Sequence, residues 1–196
     1  MPRKRIVKPE EPMITSCSFD LECSSLDGDF GVILCGVIKP AGQKPKVFRL
    51  DELSKTWETR RSNDYPVVKA IVDELGKYDI VAAHFGTRYD FPFLRTRMLA
   101  HDMGPLKQQK IIDPWAIARR HLKFGRNTLD RITQLFDCNT KTSVDLRVWA
   151  KAILDGDRRA MKYVVDHCVE DVKMLEQVVR KLKPYCRQFD SWGSFF

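Results

Sequence analysis

The spacing of apolar residues changes partway along this chain, and that change limits the folds open to it. From Met13 to Cys23, Phe30 to Ile38 and Lys46 to Leu50 the apolar residues come in short runs. Asp27-Gly28-Asp29 and Pro40-Ala41-Gly42 separate the runs, which predicts three strands in an antiparallel meander. From Tyr65 the spacing becomes helical, with Val67, Val68, Ile71, Val72 and Leu75 on one face of a helix reaching Tyr78. Strands and helices then alternate. Ile80 to Ala83 reads as a strand, and a helix opening near Asp90 carries Phe93, Leu94, Met98 and Leu99. The strand Lys110 to Ile112 runs into Asp113-Pro114, a cap and proline that start the next helix. Asn127 or Thr128 caps another helix burying Leu129, Ile132 and Leu135, and a segment near Val144 to Leu154 precedes a long helix from Arg158 to Leu182. A meander followed by this alternation predicts an α/β fold, a mixed sheet covered by helices.

At 196 residues the chain suits one domain with a core that needs no staples. No apolar run is long enough to span a bilayer, and no apolar segment follows Met1-Pro2-Arg3-Lys4-Arg5 to act as a signal peptide, so a cytoplasmic protein is expected, nucleoid-associated or nuclear location included. Cys17, Cys23, Cys35, Cys138, Cys168 and Cys186 form no Cys-x-x-Cys pair and lie mostly in apolar patterns, as buried free thiols do. Residues 1–12, rich in proline and charge, read as a disordered basic arm. The net charge of +8 extends beyond that arm and fits either a polyanionic partner or a basic surface kept for solubility.

Candidate chemistry begins at Phe19-Asp20-Leu21-Glu22. Strand alternation turns Asp20 and Glu22 to one face and Phe19, Leu21 and Cys23 to the other. Two adjacent carboxylates repel, so they are either solvated surface or the start of a site for a hard cation. On the last helix, Met161, Val164, Val165, Cys168, Val172, Leu175, Val178, Val179 and Leu182 form an apolar stripe. Asp171 stands beside it with His167 one turn earlier, either a surface pair or part of the same site. A third acid, Asp90, follows a glycine-containing loop after the Ile80 strand, where it serves as a helix N-cap or as a site residue.

Together, Phe19-Asp20-Leu21-Glu22, Tyr89-Asp90-Phe91-Pro92-Phe93-Leu94 and His167-x-x-x-Asp171 resemble the three exonuclease motifs of the DEDD superfamily, a DnaQ-like group with an RNase H-like fold. His84 to Asp90 with Arg95-Thr96-Arg97 is similar to its YprB-like branch. The resemblance implies an RNase H-like domain over residues 13–184, a central five-stranded mixed sheet and 3′-to-5′ exonuclease activity on DNA or RNA. It also implies two Mg²⁺ or Mn²⁺ ions held by Asp20, Glu22, Asp90 and Asp171. Two positions depart from the family pattern. His167 stands at the spacing where relatives carry tyrosine, and Phe85 where many carry asparagine.

In a two-metal hydrolysis Asp20 would bridge both ions, Glu22 and Asp171 would complete the first, and Asp90 would support the second from its outer shell. His167 would orient or deprotonate the attacking water. The expected partner is the 3′ end of a single strand of DNA or RNA, gripped by Arg88, Arg95 and Arg97 beside the second motif and by Arg126 with Asn127 at a later helix start. Phe85 and Tyr89 either stack on a terminal base or pack in the fold. Residues 185–196 contain four aromatics after Tyr185, a tail suited to docking on its own domain or on a protein partner. An endonuclease on the same fold, or a binding module without activity, remain alternatives.

Overall fold

The computed structural model describes residues 14–136 and 145–185. The basic arm, Cys138, Val144, Cys186 and the aromatic tail beyond Tyr185 lie outside the described residues.

The meander forms as the turn residues require. Strands β1 (Ser16–Cys23), β2 (Ile33–Pro40) and β3 (Lys46–Arg49) pair antiparallel. Strands β4 (Ile80–Ala82) and β5 (Lys110–Ile112) add in parallel on the other side of β1, giving one mixed sheet of order β3-β2-β1-β4-β5. The helices are α1 (Leu50–Leu53), α2 (Tyr65–Leu75), α3 (Asp90–Ala100), α4 (Pro114–His121), α5 (Leu129–Gln134), α6 (Leu146–Ala150) and α7 (Arg158–Leu182). A π turn over Lys151–Asp155 follows α6 and ends at Gly156, whose φ of 68° suits the residue that lacks a Cβ.

Strand alternation decides what covers each face. Phe19 and Leu21 point toward α2 and α3, with Phe19 5.7 Å from Phe91 between ring centres. Gly36 lets α2 approach, because a Cβ there would lie 2.5 Å from Cδ1 of Ile71. The opposite face belongs to α7, whose apolar stripe from Met161 to Leu182 is buried throughout. Its first half packs in the main core, and its second half packs with α4 and α5 on Ile80, Ala82 and Ile112. Each fully buried large side chain of this kind contributes about 1.5–3 kcal/mol.

Several boundaries differ from the sequence reading. Phe30 is not in β2 but is 87% exposed, because Gly31 N–H closes a turn onto the Asp27 carbonyl and delays the strand to Ile33. Leu99 and Leu135 are exposed, the latter because α5 ends at Gln134. Thr128, not Asn127, caps α5 through its hydroxyl. Helix α1, a single turn, carries no periodic signal, and α2 ends at Leu75 rather than Tyr78. Cys17, Cys23, Cys35 and Cys168 are buried free thiols, as expected. Among the described residues no helix is long and apolar enough to cross a membrane.

Candidate active site

Strand β1 outruns its parallel neighbour. Pairing with β4 stops at Ser18 and Ala82, so Asp20 and Glu22 project past the end of β4 at the edge where β4 and β5 also finish. On the face toward α7, the thiol of Cys168 donates to Oδ2 of Asp20 at 3.2 Å, and Nε1 of Trp149 donates to Oε2 of Glu22 at 2.9 Å. The helical spacing of residues 167, 168 and 171 turns all three toward this strand end. Nε2 of His167 lies 3.8 Å from Oε1 of Glu22 and 3.9 Å from Oδ2 of Asp171, its ring edge-on to Trp149. Ligand atoms of Glu22, His167 and Asp171 all fall within 4.8 Å of one another, as do those of Asp20, Glu22 and Cys168.

Asp90 arrives from the other side of the sheet. It does not cap its helix, where Tyr89 holds the N-cap position. Instead its buried Oδ1 accepts the Leu21 N–H at 3.0 Å, a donor on β1 beyond the last residue that β4 pairs. Asp90 is thereby fastened to the strand between Asp20 and Glu22.

This crowding shifts the acids. Burial, then the charges of Asp171, Asp90 and Glu22, push Asp20 well above the usual carboxylate range, against a lowering by the Cys168 hydrogen bond. Burial raises Asp90 to about 7, opposed by the Leu21 N–H and reinforced by Asp113 and Asp171. Among the described residues neither Asp20 nor Asp90 has a lysine or arginine partner. Buried, mutually repelling oxygen donors fit a hard divalent cation, which would reverse the sign of the local field.

The second-motif loop is held by a residue with a larger role than the helix cap read from sequence. Asp113 caps α4 by accepting from Trp115 N–H and Ala116 N–H, and the same carboxylate accepts from Phe85 N–H at 2.9 Å and Thr87 Oγ1 at 2.7 Å. Phe85 is kept at φ 60°, a left-handed conformation rare for a bulky residue. Asparagine would tolerate that conformation better than phenylalanine does. Its ring is 37% exposed and meets Trp115 edge-on at 4.9 Å. Arg88 lies over the same indole at 5.0 Å. Tyr89 instead packs into the fold, donating its hydroxyl to the Ser25 carbonyl.

The remaining arginines divide. Arg95 is exposed, over the Phe91 ring. Arg97 is not a phosphate contact, because its guanidinium is buried in a bidentate pair with Asp64. Arg126 lies in a separate cleft with Gly125, Thr128, Asp130, Arg131 and Gln134, which none of the four site carboxylates lines. Sequence reasoning missed the supporting roles of Cys168 and Trp149. Their signal was only proximity to other motif residues, Cys168 inside the third motif and Trp149 just before α7.

The fold is shared with known proteins. The structure is similar to that of the family B DNA polymerase from the hyperthermophilic archaeon Pyrobaculum calidifontis, with a TM-score of 0.67 and 17% sequence identity. The match covers 91% of this chain and 26% of that one, so the chain spans about a quarter of the polymerase's length. No curated protein matches by sequence. The RNase_H_2 family model matches residues 17–183, from the first strand through the last long helix, and the chain therefore belongs to this family of the RNase H superfamily.

Proposed function

We propose that the chain is a metal-dependent nuclease, a 3′-to-5′ exonuclease hydrolysing phosphodiester bonds of DNA or RNA with two Mg²⁺ or Mn²⁺ ions. The observation that carries this reading is the convergence of acids from β1, α3 and α7 on one sheet edge, with Asp20 and Asp90 driven up in pKa by burial and like charge. The superfamily membership and the fold shared with part of a DNA polymerase agree with a nucleic-acid substrate. The direction of cleavage rests on the resemblance of the three motifs to DEDD exonucleases.

Asp20 would hold both ions, with Glu22 and Asp171 on the first and Asp90 supporting the second. When bound, the cations neutralise charge on the phosphate and lower the pKa of water. The protein's own groups do the rest. Trp149 fixes one oxygen of Glu22, leaving Oε1 toward His167, and Cys168 fixes one oxygen of Asp20. His167, with its Nε2 between two carboxylates, orients the attacking water or takes its proton, and Glu22 and Asp171 stabilise the imidazolium that results. Arg88 and Arg95 stand at the exposed side of the second motif as backbone contacts.

The test is a Mg²⁺ or Mn²⁺ assay on matched DNA and RNA, with 5′-labelled linear strands and circular ones. Stepwise shortening of the linear strands and no attack on circles is expected. Cleavage of circles would replace the exonuclease with an endonuclease.

A further inference from the structure

Beside the loop that leads to Asp90 lies an aromatic and cationic cluster, of which the nuclease reading uses Arg88 alone. Trp115, half-buried on the first turn of α4, has the guanidinium of Arg88 at 5.0 Å from one ring centre and that of Arg119 at 5.1 Å. The ring of Phe85 braces it edge-on. Both arginines are exposed, and among the described residues neither forms a salt bridge with a carboxylate. Two cations brought to one indole repel each other, and the fold spends a strained Phe85 backbone and the Asp113 carboxylate to hold the arrangement. The cluster is tied to the acids by a short path. Asp113 bonds the loop through Phe85 and Thr87, the loop ends in Asp90, and Asp90 is hydrogen-bonded to β1 between Asp20 and Glu22.

We infer that Phe85, Arg88, Trp115 and Arg119 form a nucleotide clamp that grips a single strand next to the phosphate facing the carboxylates. A base stacks on the exposed aromatic surface, and the two guanidiniums turn to the flanking phosphates. Guanidinium forks match phosphate oxygens, and aromatic faces accept any base, so the expected ligand is single-stranded nucleic acid without sequence preference. A purely acidic partner would satisfy the arginines but not the aromatic platform. The inference deepens the nuclease reading and rests on it.

The test is binding without turnover. Short oligothymidylate and oligouridylate strands are titrated into the full chain in chelator, following tryptophan fluorescence. Quenching is expected in the wild type and its loss in W115F, which keeps an aromatic ring and near-normal affinity. Any contribution of Trp57, Trp149 and Trp192 persists in W115F, so the difference between the two proteins reports Trp115. W115A should bind about fivefold more weakly or worse. R88Q and R119Q, both on the surface and no threat to folding, should each flatten the dependence of log affinity on log salt by about 0.7. Removing single bases from the strand should weaken wild type at one position and leave W115A unaffected there.

Wild-type affinity and salt dependence in R88Q/R119Q, or a fully abasic strand bound as tightly as an intact one, would overturn the clamp. Cleavage by a protein whose clamp variants bind normally would remove this inference alone. Clamp-dependent binding by a chain that never cleaves would support the clamp and remove the nuclease reading.

Discussion

Two buried acidic centres in this protein are built in opposite ways. Asp64, fully buried, accepts two hydrogen bonds from Arg97 at 2.9 and 2.8 Å, one from the Ile33 N–H at 3.0 Å, and faces Nε2 of His101 at 2.6 Å. Its charge is met from within, and the result ties α3 to the start of α2 and to β2. Asp90, buried, and Asp20, half-buried, are instead surrounded by further carboxylates, and their pKa values rise accordingly. A buried acid with its own cation serves the fold. A buried acid among acids must take up a proton or a cation from outside, and on the proposed reading that difference separates structural from metal-holding carboxylates more cleanly than burial alone.

The largest expected effect lies in the second centre. Asp20→Asn should reduce metal-dependent cleavage on the order of a thousandfold or more, since the cations supply several kcal/mol of transition-state stabilisation. The same substitution relieves like-charge crowding, so thermal unfolding in chelator should show unchanged or higher stability, by about 0.5–2 kcal/mol. A destabilised D20N protein would mean that Asp20, like Asp64, is structural. The converse experiment removes the internal cation. Arg97→Met strands Asp64 and should cost about 3–5 kcal/mol in denaturant unfolding. The folded fraction should retain metal-dependent cleavage.

Much of this contrast was legible in the sequence, for identifiable reasons. Strand alternation is a strict period, so Asp20 and Glu22 could be assigned to one face and Phe19 and Leu21 to the other, as the structure has them. Helical spacing likewise joined His167 to Asp171. What could not be read were contacts between segments distant in the chain. Arg97 stands beside the second motif as a plausible phosphate ligand, and nothing local says that Asp64, on another helix start, already holds it. Asp113 announces its cap through the following proline, but its hold on Phe85 depends on β4 and β5 ending side by side. Arg126 lines a cleft of its own, a placement that a helix start in sequence does not reveal.

Smaller effects sharpen the contrast. Asp113 serves the site through structure, so Asp113→Ala should cost about 1–2 kcal/mol as a lost cap. It should also slow cleavage by freeing the loop that carries Phe85 and leads to Asp90. Equal loss of kcat/KM in Asp113→Asn would assign the effect to its charge rather than its hydrogen bonds.

Glu74 is the mildest case of an acid met from within. Burial alone would raise it, but hydrogen bonds from Lys46, Lys77 and Tyr78 prevail and hold it at about 2. A depressed carboxylate stabilises the fold above its unfolded pKa of about 4.3. That contribution disappears as pH falls toward 2. Solvent screening of the exposed lysines limits it to at most about 1 kcal/mol. Unfolding of Glu74→Gln between these limits should show a flatter pH dependence than wild type.

The most direct measurement is calorimetric titration of Mn²⁺ into chelator-stripped protein. Two ions bound per wild-type chain are expected, with binding sharply weakened in Asp20→Asn and in Asp171→Asn but intact in Arg97→Met at temperatures where it is folded. No Mn²⁺ binding by wild type, or equal binding by Asp20→Asn, would contradict the assignment of these carboxylates to a metal centre.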